Sequence, residues 1–182
     1  MLLDQANTLV ERITRYKTSK EQARHAQVFE TRAGQLKKSA NDLSAAVAAM
    51  KALNKASIPV DFKFSSRDLT RSRTRELQEG FTRNPAFVDD PGFDLRFDYV
   101  KPLSGLAQSI NEAALKAWRK HVAEHREQVS LEILNALRAV PEYRPIVATV
   151  QRCQEQIERL AGSLPSDVSD ALQQLSRLTE EQ

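Results

Sequence analysis

Apolar residues return every three or four positions along most of this chain, and the pattern changes character in one stretch. From about Leu3 to Leu53 the series runs Leu3, Ala6, Val10, Ile13 and later Leu36, Ala40, Leu43, Val47, Met50, with no proline and a single glycine, Gly34. Such steps put the side chains on one stripe of an α-helix, so a long N-terminal helix is expected over 1–57. The stripe thins between Lys17 and Gln27, and Thr18 and Glu21 have the spacing of a capping box. A break near Lys17 is therefore the alternative, with one continuous helix preferred. A second long helix is expected over 102–140, after Pro102, its apolar face carried by Leu103, Leu106, Ile110, Leu115, Trp118, Val122, Val129, Ile133 and Ala136.

Pro141 and Pro145 turn the chain, and further helices are expected over 141–182. Ile146, Val150, Cys153, Ile157, Leu160 and Leu164 alternate steps of four and three, a coiled-coil-like register that the stretch from Gly162 to Pro165 ends. Ser166 can cap a last helix bearing Val168, Leu172, Leu175 and Leu178. No internal repeat accompanies this helical content, which disfavours a solenoid. The expected fold is all-α: one helical domain over 1–182, an elongated antiparallel hairpin or small bundle with coiled-coil character.

The exception is 58–101. Six of the seven phenylalanines, Phe62, Phe64, Phe81, Phe87, Phe93 and Phe97, fall there with Pro85, Pro91, Gly80 and Gly92. Val60, Phe62 and Phe64 alternate with polar residues, as do Phe93, Leu95, Phe97 and Tyr99. Period two with aromatics predicts strands, so the two runs are expected to pair as a small ribbon. Between them Ser65 and Asp68 can cap a short helix to Gly80, with Leu69, Leu77 and Phe81 on one side. The simpler reading of this insert is a miniature local core. The other is a docking tip, because aromatic side chains serve as interface anchors.

Composition narrows the function. The chain is 41% hydrophobic, 28% charged and 6% aromatic, which implies a thin core and much solvated helix. Its net charge of +3 is a weak argument for nucleic acid, but the charge is uneven. Residues 1–57 hold ten Lys or Arg against five Asp or Glu, and 141–182 hold four against seven, a balance suited to antiparallel packing of the two ends. One cysteine, Cys153, excludes an internal disulfide and fits a reducing compartment, with the cytoplasm as the expected location. The N-terminus has no signal-peptide core and no apolar run is long enough for a membrane span, so no membrane insertion is expected.

Candidate chemistry is sparse. Lys63, Arg67, Arg71 and Arg75 follow four-residue spacing on the short helix, opposite the Leu69 and Leu77 side. Such a row can track phosphates or an acidic partner, although Asp68, Glu76, Asp89, Asp90, Asp94 and Asp98 lie close enough in sequence to pair with it. His121, Glu124 and His125 form H-x-x-E-H and so resemble the motif of inverted zinc proteases, in which two histidines bind zinc and the glutamate activates water. The resemblance covers five residues. Such enzymes need a third ligand downstream, and the remaining chain offers only Glu155 and Glu158, so ordinary helix residues are the preferred reading. Five scattered glycines exclude a phosphate-binding loop, and no serine elbow is present. Cys153 and Trp118 lie on apolar stripes as expected core residues.

The chain is therefore expected to be non-enzymatic and without a cofactor or metal: an adaptor, scaffold or regulatory subunit acting through a protein partner or self-association. The alternative is a nucleic-acid-associated protein contacting phosphates through the basic row. A zinc-dependent hydrolase is the remote third reading.

Overall fold

The computed structural model describes residues 2–63, 67–84, 92–126 and 129–181, and among them every regular element is helical. Six α-helices follow one another: α1 Leu2–Lys55, α2 Arg67–Arg83, α3 Lys101–His125, α4 Leu131–Ala139, α5 Arg144–Gly162 and α6 Val168–Glu180. A π-helical turn, Arg96–Val100, leads into α3, and a 3₁₀ turn, Pro141–Tyr143, leads into α5. No helix of the described chain is long and apolar enough to cross a membrane. The chain divides into two compact units, the first comprising 1–41 and 70–103, the second 42–69 and 104–182.

α1 is continuous through the thin stretch of its apolar stripe. Thr18 does not cap a new helix there, because its hydroxyl donates to the carbonyl of Thr14 one turn back at 3.0 Å. The helix ends in a Schellman motif. Ser57 takes φ 64°, its N–H donates to Asn54 O at 3.1 Å, and Ile58 N–H donates to Leu53 O at 3.0 Å. Leu53 and Ile58, the apolar pair that accompanies this motif, both enter the main core.

The second unit holds that core. Leu53 of α1, Ala114, Trp118 and Val122 of α3, Ile157 of α5, and Val168, Ala171 and Leu175 of α6 form one cluster with Ile58. Trp118 is fully buried. Its indole N–H donates to Leu160 O at 2.9 Å, while Arg119 donates from Nε to Ala161 O and from Nη2 to Gly162 O, each at 3.2 Å. The adjacent pair Trp118 and Arg119 thus satisfies three carbonyls that the end of α5 leaves without helical partners. A second cluster joins Ala46 to Leu106, Ala107 and Ile110, with Phe62 and Met50 against it. A third joins Leu134 of α4 to Val147 and Val150 of α5.

Four expectations need correction. The helix expected over 102–140 is two helices: α3 ends at His125 and α4 starts at Leu131, where Ser130 acts as an N-cap, its side chain accepting from Glu132 N at 3.2 Å. Along α5 the buried position is Val147, and Ile146 is exposed, so the stripe is rotated by one residue at its start. α6 is capped by Asp167 rather than Ser166, its carboxylate accepting from Ser169 N at 2.8 Å and Asp170 N at 3.2 Å.

The ribbon is the fourth. Leu95 to Val100 is helical, and Asp94 Oδ1 accepts from Phe97 N at 2.9 Å, which starts the turn as an N-cap does. Leu95 and Tyr99, one helical turn apart, are buried while Phe97 is 63% exposed. That is period four, and it overrides the alternation of aromatic and polar residues. On the other side, residues 59–63 form no strand, and Val60 N–H is satisfied by Asn54 Oδ1 at 3.0 Å. Phe64 and Phe87 lie outside the described residues, as do Ser65, Pro85 and Pro91.

Candidate functional site

The first unit is built from α1 as far as Asn41, most of α2 and the turn that precedes α3, and its apolar contacts are few. Val28, Phe29, Arg32 and Leu36 are the half-buried positions of α1 there, at steps of one, three and four. Phe29 meets Phe81 of α2 edge to face, with ring centroids 6.3 Å apart. Arg32 places its guanidinium 5.6 Å from the Phe93 centroid, and Phe93 in turn packs on Tyr99 at 5.6 Å. Burial, with Glu76 and Asp98 adding to it and Arg73 opposing, raises the Tyr99 phenol above its ordinary pKa.

These contacts leave a groove of about 440 Å³ along α1 and α2. Phe29, Leu36, Leu77, Phe81, Phe93 and Leu95 supply its apolar wall, and Arg32 is the cation on its lining. Each helix offers the groove residues at helical spacing: 29, 32, 33 and 36 on α1, and 74, 77, 78, 81 and 82 on α2. Phe81 remains 48% exposed. The groove is open to solvent in the described chain, with a shape set by two helices side by side.

The basic row is partly brought together. Arg71 and Arg75 lie one turn apart on α2 in the first unit, while Lys63 and Arg67 belong to the second unit and the side chain of Arg67 lies outside the described ones. Arg71 and Arg75 are exposed. The other arginines of α2 with described side chains are paired, Arg73 with Glu76 at 3.1 Å and Arg83 with Glu79 at 3.4 Å. Among the described residues neither Arg71 nor Arg75 has such a partner. Arg71 and Arg75 are therefore solvated, and the pairing expected from Asp68, Asp89 and Asp90 falls outside the described side chains.

The remaining candidates separate by unit. Phe62 packs in the second unit against the cluster of Ala46 and Ile110, and Phe97 carries Lys101 Nζ at 5.1 Å from its ring centroid in the first. Trp118 is core. His121 stacks on Trp118 with centroids 6.0 Å apart, and the His125 ring lies tilted 40° to that of His121 at 4.1 Å. Burial and the neighbouring His125 lower the His121 pKa, with Glu124 opposing. Glu124 pairs with Lys120 at 3.6 Å, and among the described residues no three metal-ligating side chains gather. Cys153 is buried on α5.

Sequence reasoning missed the α1 wall of the groove. Phe29 is the one phenylalanine outside the aromatic window, and Phe29, Ala33 and Leu36 repeat at four and three, a signal hidden by the charged stretch before it. Comparison with protein-family models, with curated proteins and with solved structures finds no match.

Proposed function

We propose that this chain is a non-enzymatic helical adaptor or regulatory subunit that docks a helix of a partner protein in the groove of its first unit. The observation that carries the reading is the groove itself: an open apolar channel between two helices, walled by Phe29, Leu77, Phe81 and Phe93, with Phe81 half-exposed. Aromatic anchors that stay exposed in a charged, aromatic-poor chain are the residues interfaces use. Bundle-like packing of α3, α5 and α6 serves as the frame, and α1, with coiled-coil character, extends the contact surface: every side chain described between Glu11 and Gln27 is exposed, Ile13 and Tyr16 included. A helix with no covered face is a poor stand-alone structure and gains from a partner.

The test is native copurification from the source cells with Phe81→Glu, which puts a charge on the groove wall, against Leu131→Glu, at an exposed apolar position of α4. The reading expects a defined partner that is lost with Phe81→Glu and kept with Leu131→Glu. Recovery of the same proteins with both variants overturns it.

A second reading rests on Arg71 and Arg75, whose side chains are exposed and lack a carboxylate partner among the described residues. Two cations one turn apart can contact successive phosphates of a nucleic acid. Binding to DNA or RNA that falls steeply with salt and is lost in the Arg71→Glu, Arg75→Glu double variant would favour it. Binding indifferent to the double variant, or none at low salt, ends it.

A further inference from the structure

The end of α3 holds a side-chain arrangement that a docking role does not use. His121 and His125 stand one helical turn apart with ring centroids 4.1 Å from each other, and His125 is exposed. His125 Nδ1 lies 2.8 Å from the carbonyl oxygen of His121. A carbonyl only accepts, so Nδ1 carries a proton, and in the neutral ring the lone pair is on Nε2, which faces outward from that bond. An imidazole whose second nitrogen is tied to a backbone carbonyl has the orientation and tautomer of a metal ligand. His125 also sits in the last turn of α3, one turn after His121, where carbonyls without helical partners and the negative end of the helix dipole favour a cation. The neighbouring positive charge is offset, because Arg126 donates to Glu158 at 3.0 Å.

We propose that His121 and His125 form a surface site for a divalent transition cation of the Zn²⁺, Ni²⁺ or Cu²⁺ class. A ring nitrogen of His121 and Nε2 of His125 are its protein ligands, and water completes the shell. Imidazole suits these ions over Mg²⁺ and Ca²⁺, which take oxygen. With two protein ligands the ion exchanges with solvent and performs no hydrolysis of its own. Glu124, between the two histidines in sequence, is engaged by Lys120 rather than placed as a general base.

The protein carries its own reporter. Trp118 is the single tryptophan, and its ring stacks on His121, so an open-shell ion bound there quenches indole fluorescence at short range. Untagged full-length protein titrated with Ni²⁺ is expected to show saturable quenching at one ion per chain. The affinity falls about tenfold or more in His125→Gln, with the metal-free fluorescence and far-UV circular dichroism unchanged, and stays the same in His25→Gln. Independently of any variant, Zn²⁺ added to the wild type shifts the ring proton resonances of His121 and His125 and leaves those of His25 in place. Quenching that never saturates, equal quenching in His125→Gln, or resonance shifts shared by all three histidines or absent from all of them would overturn the proposal.

Discussion

The two units of this chain use their aromatic residues in opposite ways. In the second, Trp118 is fully enclosed by four helices and its one polar atom is satisfied by Leu160 O. In the first, Phe29 meets Phe81 edge to face and Phe93 packs on Tyr99, yet Phe29, Phe81 and Phe93 all line an open groove of about 440 Å³. Buried apolar side chains of the first unit are limited to Leu95 and Tyr99 among the described residues, whereas the second has three apolar clusters. Burial stabilises in proportion to apolar area, so more of the apolar stabilisation falls in the second unit, and the first leaves apolar area uncovered among the described residues. Charge follows the same division. The first unit has 14 Lys or Arg against ten Asp or Glu, and the second has 13 against 14.

The comparison is broken most directly by truncating one aromatic in each unit. Trp118→Ala, which empties a fully buried site and strands the α5 carbonyl, is expected to cost about 3–5 kcal/mol in denaturant unfolding, followed by circular dichroism. Phe81→Ala, at a half-exposed site with one edge-to-face contact, should cost about 1 kcal/mol or less. Equal costs would remove the distinction. Asp167→Ala, which takes two backbone donors' acceptor from the start of α6, is expected to destabilise the second unit by about 1 kcal/mol. Ser57→Gly should stabilise it by about 0.5–1 kcal/mol, because the left-handed Schellman position suits glycine better than a residue with a Cβ.

The smallest effect is one of pH, and it sharpens the account of the first unit. Burial raises the Tyr99 pKa, so the folded chain keeps a proton that the unfolded chain releases. Stability is therefore full below the ordinary tyrosine value near 10 and declines as pH rises from there through the folded value. Tyr99→Phe should abolish that alkaline decline, measured by hydrogen exchange of the amides around 95–100.

Much of the helical frame was legible because period and punctuation agree. Pro141, Pro145 and the Gly162 to Pro165 stretch bound α5 and α6 as expected, and α1 runs through Lys17 because nothing there competes with the helix except a hydroxyl that bonds backward. The failures fall where short range is ambiguous. The run from Phe93 to Tyr99 fits a strand by alternation and a helix by the pair Leu95 and Tyr99, and the cap from Asp94 decides it. The sequence between α3 and α4 carries no glycine or proline, and the one signal for the start of α4 is Ser130. Of the site, the aromatic half on α2 and near Phe93 was visible as a composition anomaly. The α1 half was not, because pairing of Phe29 with Phe81 joins residues 52 positions apart.

Hydrogen exchange of the intact chain, alone and with the purified native partner, tests the division of labour between the units. Alone, amides of α3 around Trp118 and of α5 around Ile157 should exchange far more slowly than those of α1 between Glu11 and Gln27. With partner, new protection should appear over 29–36 and 74–82 and nowhere in α3 or α5. Protection gained in the second unit while the groove helices exchange as before would contradict the account.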